Sequence, residues 1–320
     1  MFDLLEMDVE YNRQYDKSHK IQRLYVHWDV STQCNFNCSY CYSLADYYSE
    51  WNRIDSWARQ KLVIRNISKS HLPVFLGLLG GEPTIHPNYE ELVRLCHEAI
   101  STQKDGRLYI TTNGSRPTNW FERHRFYENT YFLWSAHFEY EKYYGLNFEL
   151  MINNIKIMKE KGFRNKVNVM LIPDKQQWPK IHKLVDELEK LGVEIHPHFL
   201  YEKGNVHRLH EYSDEFYDEF ARFQNYPGQF IFEGPTDNHA YNDYDIFHNK
   251  HTCFTGWDCW NNNYEINYKG KVTRFCFKEN SDLITNFNFF KNIKEVLPLQ
   301  CPHETCNCDG LLKIYKEKIV

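Results

Sequence analysis

The chain has 320 residues, of which 42% are hydrophobic and 25% charged, with a net charge of −5. That length fits one barrel-sized domain plus an appendage, and the composition supports a packed core rather than wholesale disorder. The mild acidity disfavours a phosphate-backbone binder, no apolar run is long enough to span a membrane, and the acidic first eight residues carry no secretory signal.

Residues 1–20 are polar and read as an N-terminal extension. From 21 to 202, short β-rich apolar runs alternate with stretches of helical spacing. The runs fall at 24–31, 74–80, 107–112, 131–137, 166–173 and 194–201. Between them, Phe148, Met151, Ile155 and Met158 recur at helical intervals. Ile181, Leu184, Val185, Leu188 and Leu191 do the same before Gly192, a helix stop. Leu92, Leu95 and Cys96 share a helical face, which makes Cys96 a small buried hydrophobe. Six strands alternating with helices predict βα units in an α/β fold with a parallel sheet. Six units are too few for a closed eight-fold barrel, leaving a partial (β/α)6 TIM-like barrel or a doubly wound sheet. Residues 214–225 predict one helix with Phe216, Phe220 and Phe223 inward, and 227–250 reads as loop-like. Tyr264, Ile266 and Tyr268 then alternate, Lys269-Gly270 turns, and Val272 begins a return strand. The expected divisions are an extension (1–20), a barrel (21–225), a linker (226–252) and a small cysteine-rich β-hairpin/helix domain (253–320).

Ten cysteines cluster rather than spread: Cys34, Cys38 and Cys41 near the front, and Cys253, Cys259, Cys276, Cys301, Cys306 and Cys308 near the end, with Cys96 alone. A disulfide-stapled secreted domain has a different distribution and a signal peptide. Clustered thiols in a reducing, cytoplasmic compartment point to metal or iron–sulfur ligation.

The run Cys34-Asn35-Phe36-Asn37-Cys38-Ser39-Tyr40-Cys41 is a C-x3-C-x2-C loop directly after the first strand. Three thiolates can hold three irons of a 4Fe–4S cluster and leave the fourth open to an external chelator. Loops at the carboxyl ends of parallel strands build active sites. This loop resembles that of the radical S-adenosylmethionine (SAM) superfamily, in its spacing and in Tyr40 before the third cysteine. The resemblance implies that the open iron chelates SAM, that a reduced cluster cleaves the sulfonium, and that the resulting 5′-deoxyadenosyl radical takes a hydrogen atom from a substrate. The alternative is a zinc site, or a ferredoxin-like cluster completed by a distant cysteine.

Further matches follow at strand ends. Gly80-Gly81-Glu82-Pro83-Thr84 looks like the family's glycine-glycine-glutamate motif, which holds the SAM amino group. The glycines let backbone approach a ligand closely, and Glu82 can pair with an ammonium group. Thr111-Thr112-Asn113-Gly114 resembles the threonine–asparagine–glycine element of relatives and makes Thr112 and Asn113 candidate cofactor contacts. Ser135 and His137 share a face by period two, where relatives contact the SAM ribose or carboxylate. They read equally as ordinary barrel-interior polar residues. His196 and His198 share a face of the sixth strand and are candidates for a substrate pocket or for proton donors, and read equally as satisfied structural residues; without a third ligand nearby they do not read as metal ligands.

At the other end, Cys259, the hairpin and Cys276 resemble the opening of the SPASM and twitch domains, auxiliary iron–sulfur extensions of some radical SAM enzymes. Six thiols suffice for one auxiliary 4Fe–4S cluster, with Cys259, Cys276, Cys306 and Cys308 as preferred ligands and Cys253 and Cys301 as substitutes. The gap from Gly270 to Cys276 is one residue longer than usual, and Cys301, Cys306 and Cys308 depart from the usual terminal spacing. A zinc knot is the structural alternative.

The resemblance implies a radical SAM oxidoreductase or radical-modifying enzyme that acts on a small-molecule or peptide substrate. It also implies an external electron donor such as flavodoxin or ferredoxin. The first 20 residues are too short for a leader-binding winged helix, which favours a small molecule or a peptide delivered by a partner. Radical rearrangement or epimerisation, including of a nucleoside, is the alternative within enzymes. A non-catalytic iron–sulfur or zinc module is the alternative outside them. Nucleic acid and membrane partners are not expected.

Overall fold

The computed structural model describes residues 23–41, 52–103, 105–125, 127–145, 148–202, 210–226, 230–233, 238–241, 243–249, 253–274, 280–301 and 316–317. The expected extension at 1–20 and Cys276, Cys306 and Cys308 lie outside them.

All six expected strands form: β1 (Leu24–Asp29), β2 (Val74–Leu79), β3 (Arg107–Thr112), β4 (Thr130–Ala136), β5 (Arg164–Leu171) and β6 (Glu194–Phe199). Helices α1 (Trp57–Ile67), α2 (Tyr89–Ser101), α3 (Thr118–Arg123), α4 (Glu149–Glu160) and α5 (Trp178–Leu191) fill the crossovers. Each strand pairs in parallel with the next, and β6 ends the sheet without returning to β1. The chain is therefore a mixed α/β protein built on an open, partial TIM-type barrel.

Period-two alternation separates the two faces of this sheet. Leu24, Val26 and Trp28 of β1, Val74, Leu76 and Leu78 of β2, and Leu108 and Ile110 of β3 are fully buried. They join one apolar cluster with Ile64, Ile67, Leu92, Cys96, Ile155 and Leu188 of the helices. Each such side chain contributes about 1.5–3 kcal/mol on burial. The opposite phase is polar: Tyr25, His27 and Asp29 alternate with that core on β1, as do Arg107, Tyr109 and Thr111 on β3. Helix α5 stops at Gly192, whose φ of +58° suits glycine and whose N–H caps Glu189 and Leu188.

The hairpin near the C-terminus forms as β10 (Asn263–Ile266) and β11 (Lys271–Arg274), after the short strands β7 (Phe230–Glu233), β8 (Asn238–Tyr241) and β9 (Asp258–Cys259). Gly270 makes the turn at φ +79°. The hairpin does not stand apart. β10 pairs in parallel with β1, and with β12 (Asn280–Asp282) it extends the barrel sheet to the order β12-β11-β10-β1-β2-β3-β4-β5-β6. Buried Asn66 of α1 fastens the next segment, donating to Leu283 O at 3.2 Å and Asn286 O at 2.6 Å and accepting from Phe290 N at 3.3 Å. A second sheet runs β13-β9-β14-β7-β8, with β13 at Leu299–Gln300 and β14 at Lys316–Glu317.

Two local expectations change. The single helix over 214–225 is an α-helix, Asp214–Glu219, followed by a 3-10 turn, Ala221–Asn225. Phe220 leaves helical geometry at φ −101°, ψ 20°. That break lets Phe216, Phe220 and Phe223 all reach the core, with the last two rings stacked at 5.7 Å. The stretch 227–250 carries β7, β8 and a helix at Asp243–His248. Phe230-Ile231-Phe232 is a strand signal that the surrounding Asn, Asp and Pro obscured.

Candidate active site

The site forms at the carboxyl ends of the parallel strands, where their loops converge. After β1 the chain runs through Ser31 and Gln33 into the cysteine loop. Phe36, Cys38 and Tyr40 point inward and are buried, while Asn35, Asn37 and Ser39 are exposed. Three neighbouring loops fix this one.

The first follows β2. Gly81 N donates to Ser31 O at 2.9 Å and Glu82 N to Gln33 O at 2.7 Å. Only glycine permits this approach: a Cβ on Gly80 would lie 2.2 Å from Ser31 O, and one on Gly81 1.9 Å from Gln33 O. The two glycines thus serve the chain's own backbone as well as any ligand. Glu82 is buried and fully engaged. Its Oε1 accepts from Thr84 N at 3.1 Å, Thr84 Oγ1 at 2.5 Å and Thr112 Oγ1 at 2.8 Å, and its Oε2 accepts from Asn113 N at 2.6 Å. Burial raises the Glu82 pKa, and these bonds oppose the rise. The carboxylate expected to meet an ammonium group is already the joint between two loops.

The second loop follows β3. Asn113 Nδ2 donates to Asn35 Oδ1 at 2.9 Å, and Asn35 Nδ2 donates to Ser115 Oγ at 2.8 Å. The third follows β4. Ser39 N donates to Glu139 Oε2 at 2.8 Å, the Ser39 hydroxyl bonds the same carboxylate, and Asn37 N donates to Tyr140 Oη at 2.7 Å. The Tyr140 ring stacks on Phe36 with centroids 4.2 Å apart.

Together these loops surround one cavity that opens at the strand ends. Cys34, Cys38, Cys41, Tyr40, Gly80, Gly81, Glu82, Asn113, Ser135 and His137 all line it. Thr112 does not. One residue out of phase, it faces the Glu82 network, and Thr111 faces the cavity. His198 lines the cavity, whereas His196 is buried with Nδ1 3.1 Å from Asn168 Oδ1. Asp29, Met170 and Tyr201 also line it, and Asn35, Glu139 and Tyr140 hold the cysteine loop. None of these six was singled out from sequence; the available signal was their position at or just beyond strand ends.

Electrostatically the cavity is short of positive charge. Burial pushes the Cys34 thiol up to about 12, with Glu82 adding to the rise, and raises Cys38 further, with Cys41 and Cys34 adding. Burial and then His198 lower His137 to about 4, so its imidazole is neutral at neutral pH. The Tyr40 hydroxyl, kept protonated by burial, lies 3.0 Å from His137 Nδ1, and Cys38 Sγ lies 3.4 Å from the same nitrogen. Donation from Tyr40 to Nδ1 leaves the ring proton on Nε2.

Residues 28–188, just over half of the chain, match the profile of the Radical SAM superfamily. The chain belongs to that superfamily. That family works with a 4Fe–4S cluster and SAM. Over 94 residues the chain is 28% identical to an S-adenosylmethionine-dependent nucleotide dehydratase of Selenomonas ruminantium, covering 29% of this chain and 31% of that protein. Over 104 residues it is 30% identical to a GTP 3',8-cyclase of Vibrio vulnificus, covering 32% and 29%. The chain thus spans under a third of the length of these curated relatives. Among solved structures, Streptococcus suis SuiB bound to the precursor peptide SuiA superposes with a TM-score of 0.52 at 15% identity, over 88% of this chain and 68% of that one. Native anSMEcpe with bound AdoMet and Kp18Cys peptide gives 0.51 at 14% identity, over 85% and 81%. At such identities the likeness is one of fold.

The residues of this radical SAM site fit the family's cluster. Three thiols line one cavity, and a cubane takes one thiolate per iron. Glu82, which lines the same cavity, is committed to its four donors.

In the C-terminal region, Cys259 and Cys301 are buried and Cys253 is exposed. Leu299 pairs with Cys259 across β13 and β9, and Cys301 N donates to Trp257 O at 2.9 Å. By register, Cys259 and Cys301 are diagonal neighbours on one face of that ladder.

Proposed function

We propose that this chain cleaves SAM reductively and takes a hydrogen atom from an unactivated C–H bond of a peptide or small molecule, for oxidation or another C–H modification. A single observation carries this: the three thiols, the Gly80–Glu82 turn, Asn113, Ser135 and His137 open on one cavity. When bound, the cluster and SAM supply the electron transfer and the hydrogen-abstracting radical. Cys34, Cys38 and Cys41 would each hold one iron. The Gly80–Gly81 backbone and Asn113 would meet the amino-acid end of SAM, with Ser135 and His137 towards its ribose or carboxylate. Tyr40 orients the neutral His137, and the ring of loops keeps water from the reacting centre.

The substrate is kept to that breadth because SuiB carries a precursor peptide, whereas the dehydratase and the cyclase are named for nucleotides. An external flavodoxin or ferredoxin in a reducing cytoplasm would deliver the electron. The test is anaerobic reconstitution followed by dithionite and SAM. Formation of 5′-deoxyadenosine is expected; iron binding without it would leave a non-catalytic module.

Residues 253–320 are assigned to a twitch-like unit with one auxiliary 4Fe–4S cluster. Cys259, Cys276, Cys306 and Cys308 are the preferred ligands, with Cys253 and Cys301 as substitutes. The shared face of Cys259 and Cys301 supports a thiol cluster here and favours Cys301 among the substitutes. Cys276→Ala should remove roughly half of the iron, one of two clusters, yet leave SAM cleavage running uncoupled from substrate. Unchanged iron and unchanged substrate turnover in that variant would remove the assignment.

A further inference from the structure

The geometry points to an oxyanion-binding site at the amino ends of the barrel strands, built on Arg23 and Arg107 over the Phe75 ring. Arg23 immediately precedes β1 and Arg107 begins β3, with Phe75 between them in register: Tyr25 pairs with Phe75, and Phe75 with Arg107. The Arg23 guanidinium lies 4.2 Å from the Phe75 centroid and that of Arg107 lies 5.1 Å from it. Tyr25 meets the same ring edge-on at 5.2 Å. Both cations lie against one ring, and an arginine stacked on an aromatic keeps its in-plane N–H donors.

What marks the place is charge without a counter-charge. Arg59, Arg94 and Arg222 each pair with a carboxylate. Among the described residues neither Arg23 nor Arg107 does, although both are only partly exposed. Arg23 Nε is buried without a hydrogen-bond partner. Burial lowers the Arg107 pKa, and the charges of Arg23 and Arg164 lower it further. Guanidinium groups held together in a partly desolvated site raise the energy of the folded chain, and a bound anion relieves it. Phosphate and carboxylate both present the paired oxygens that such forks hold.

The site is distinct from the active cavity. Arg107 stands four residues before cavity-lining Thr111, about 13 Å along β3. It stands or falls independently of SAM chemistry, because its test reads binding alone. The anaerobically reconstituted full chain is titrated calorimetrically, at constant ionic strength, with inorganic pyrophosphate and separately with citrate. Saturable binding is expected, at least about tenfold weaker in Arg107→Gln and in Arg23→Gln. Arg107→Lys, which keeps the charge but not the fork, should fall between them and the native chain. Tighter pyrophosphate assigns the site to a phosphate group, and tighter citrate to a carboxylate. Without anion, Arg107→Gln should melt no lower than the native chain, since a repulsion is removed. If that variant does not fold, Arg23→Gln and Arg107→Lys decide. Equal affinity in native and variant chains, or no saturable binding of either anion, overturns the site.

Discussion

Cys38→Ala should bring 5′-deoxyadenosine formation down to the level of buffer, at least about 1000-fold, or more than about 4 kcal/mol of barrier. The thiol is buried in the middle of the cysteine loop, its Sγ 3.4 Å from His137 Nδ1. Losing it leaves two thiols for a cluster that needs three here. Iron at the front of the chain should fall with the activity, which separates this variant from one that only misplaces SAM. Cys96→Ala is the control. Cys96 is also buried but sits on the core face of α2, so its loss should cost about 1 kcal/mol of stability and leave iron and SAM cleavage intact. Equal losses in both variants would mean that thiol removal acts through folding alone.

The second large effect is expected at Glu82. Glu82→Ala leaves the Thr112 hydroxyl, the Asn113 N–H and both Thr84 donors without their acceptor inside the protein. Each unsatisfied buried donor costs about 1–3 kcal/mol, and partial relaxation makes a total of about 3–5 kcal/mol reasonable. The melting temperature should fall by roughly 10 °C. The damage should also reach the cluster, because the loop that Glu82 holds at Asn113 is the one whose side chain holds Asn35. Iron uptake should therefore drop along with stability. Glu82→Gln keeps the shape but turns an amide towards donors, so an intermediate loss is expected. If Glu82 served mainly to pair with the SAM ammonium group, these variants would lose SAM affinity with little change in melting, and calorimetry beside a thermal scan distinguishes the two roles.

Glu82 also shows where sequence reading stops. Gly80-Gly81-Glu82 is legible as a turn after a strand, and its likeness to a family motif is legible too. That Thr112 and Asn113 are its partners depends on the β2–β3 register, which brings together residues some 30 positions apart. Motif likeness alone groups Thr112 with the cofactor contacts, whereas alternation along β3 turns Thr111 to the cavity. The six strands were legible because their apolar runs are short, β-rich and separated by helical spacing. The hairpin at 263–274 was legible as a hairpin, but its docking on β1 was not, because a period-two pattern identifies a strand and says nothing of its neighbour. The polar inner face was present in the alternation of Tyr25, His27 and Asp29. Only the closing of the strands around a cavity gave that alternation meaning. The grip of Glu139 and Tyr140 on the cysteine loop left no local signal beyond their place just after a strand.

The central claim is a cluster held by Cys34, Cys38 and Cys41 with one iron left for SAM. Electron paramagnetic resonance of the dithionite-reduced Cys276→Ala protein, recorded before and after SAM, tests it with the auxiliary signal reduced. SAM labelled with 15N at its amino group should shift the g-values of the reduced cluster and introduce a hyperfine coupling from the nitrogen. A spectrum indifferent to SAM, with no nitrogen coupling, would place a fourth protein ligand on that iron and contradict the account.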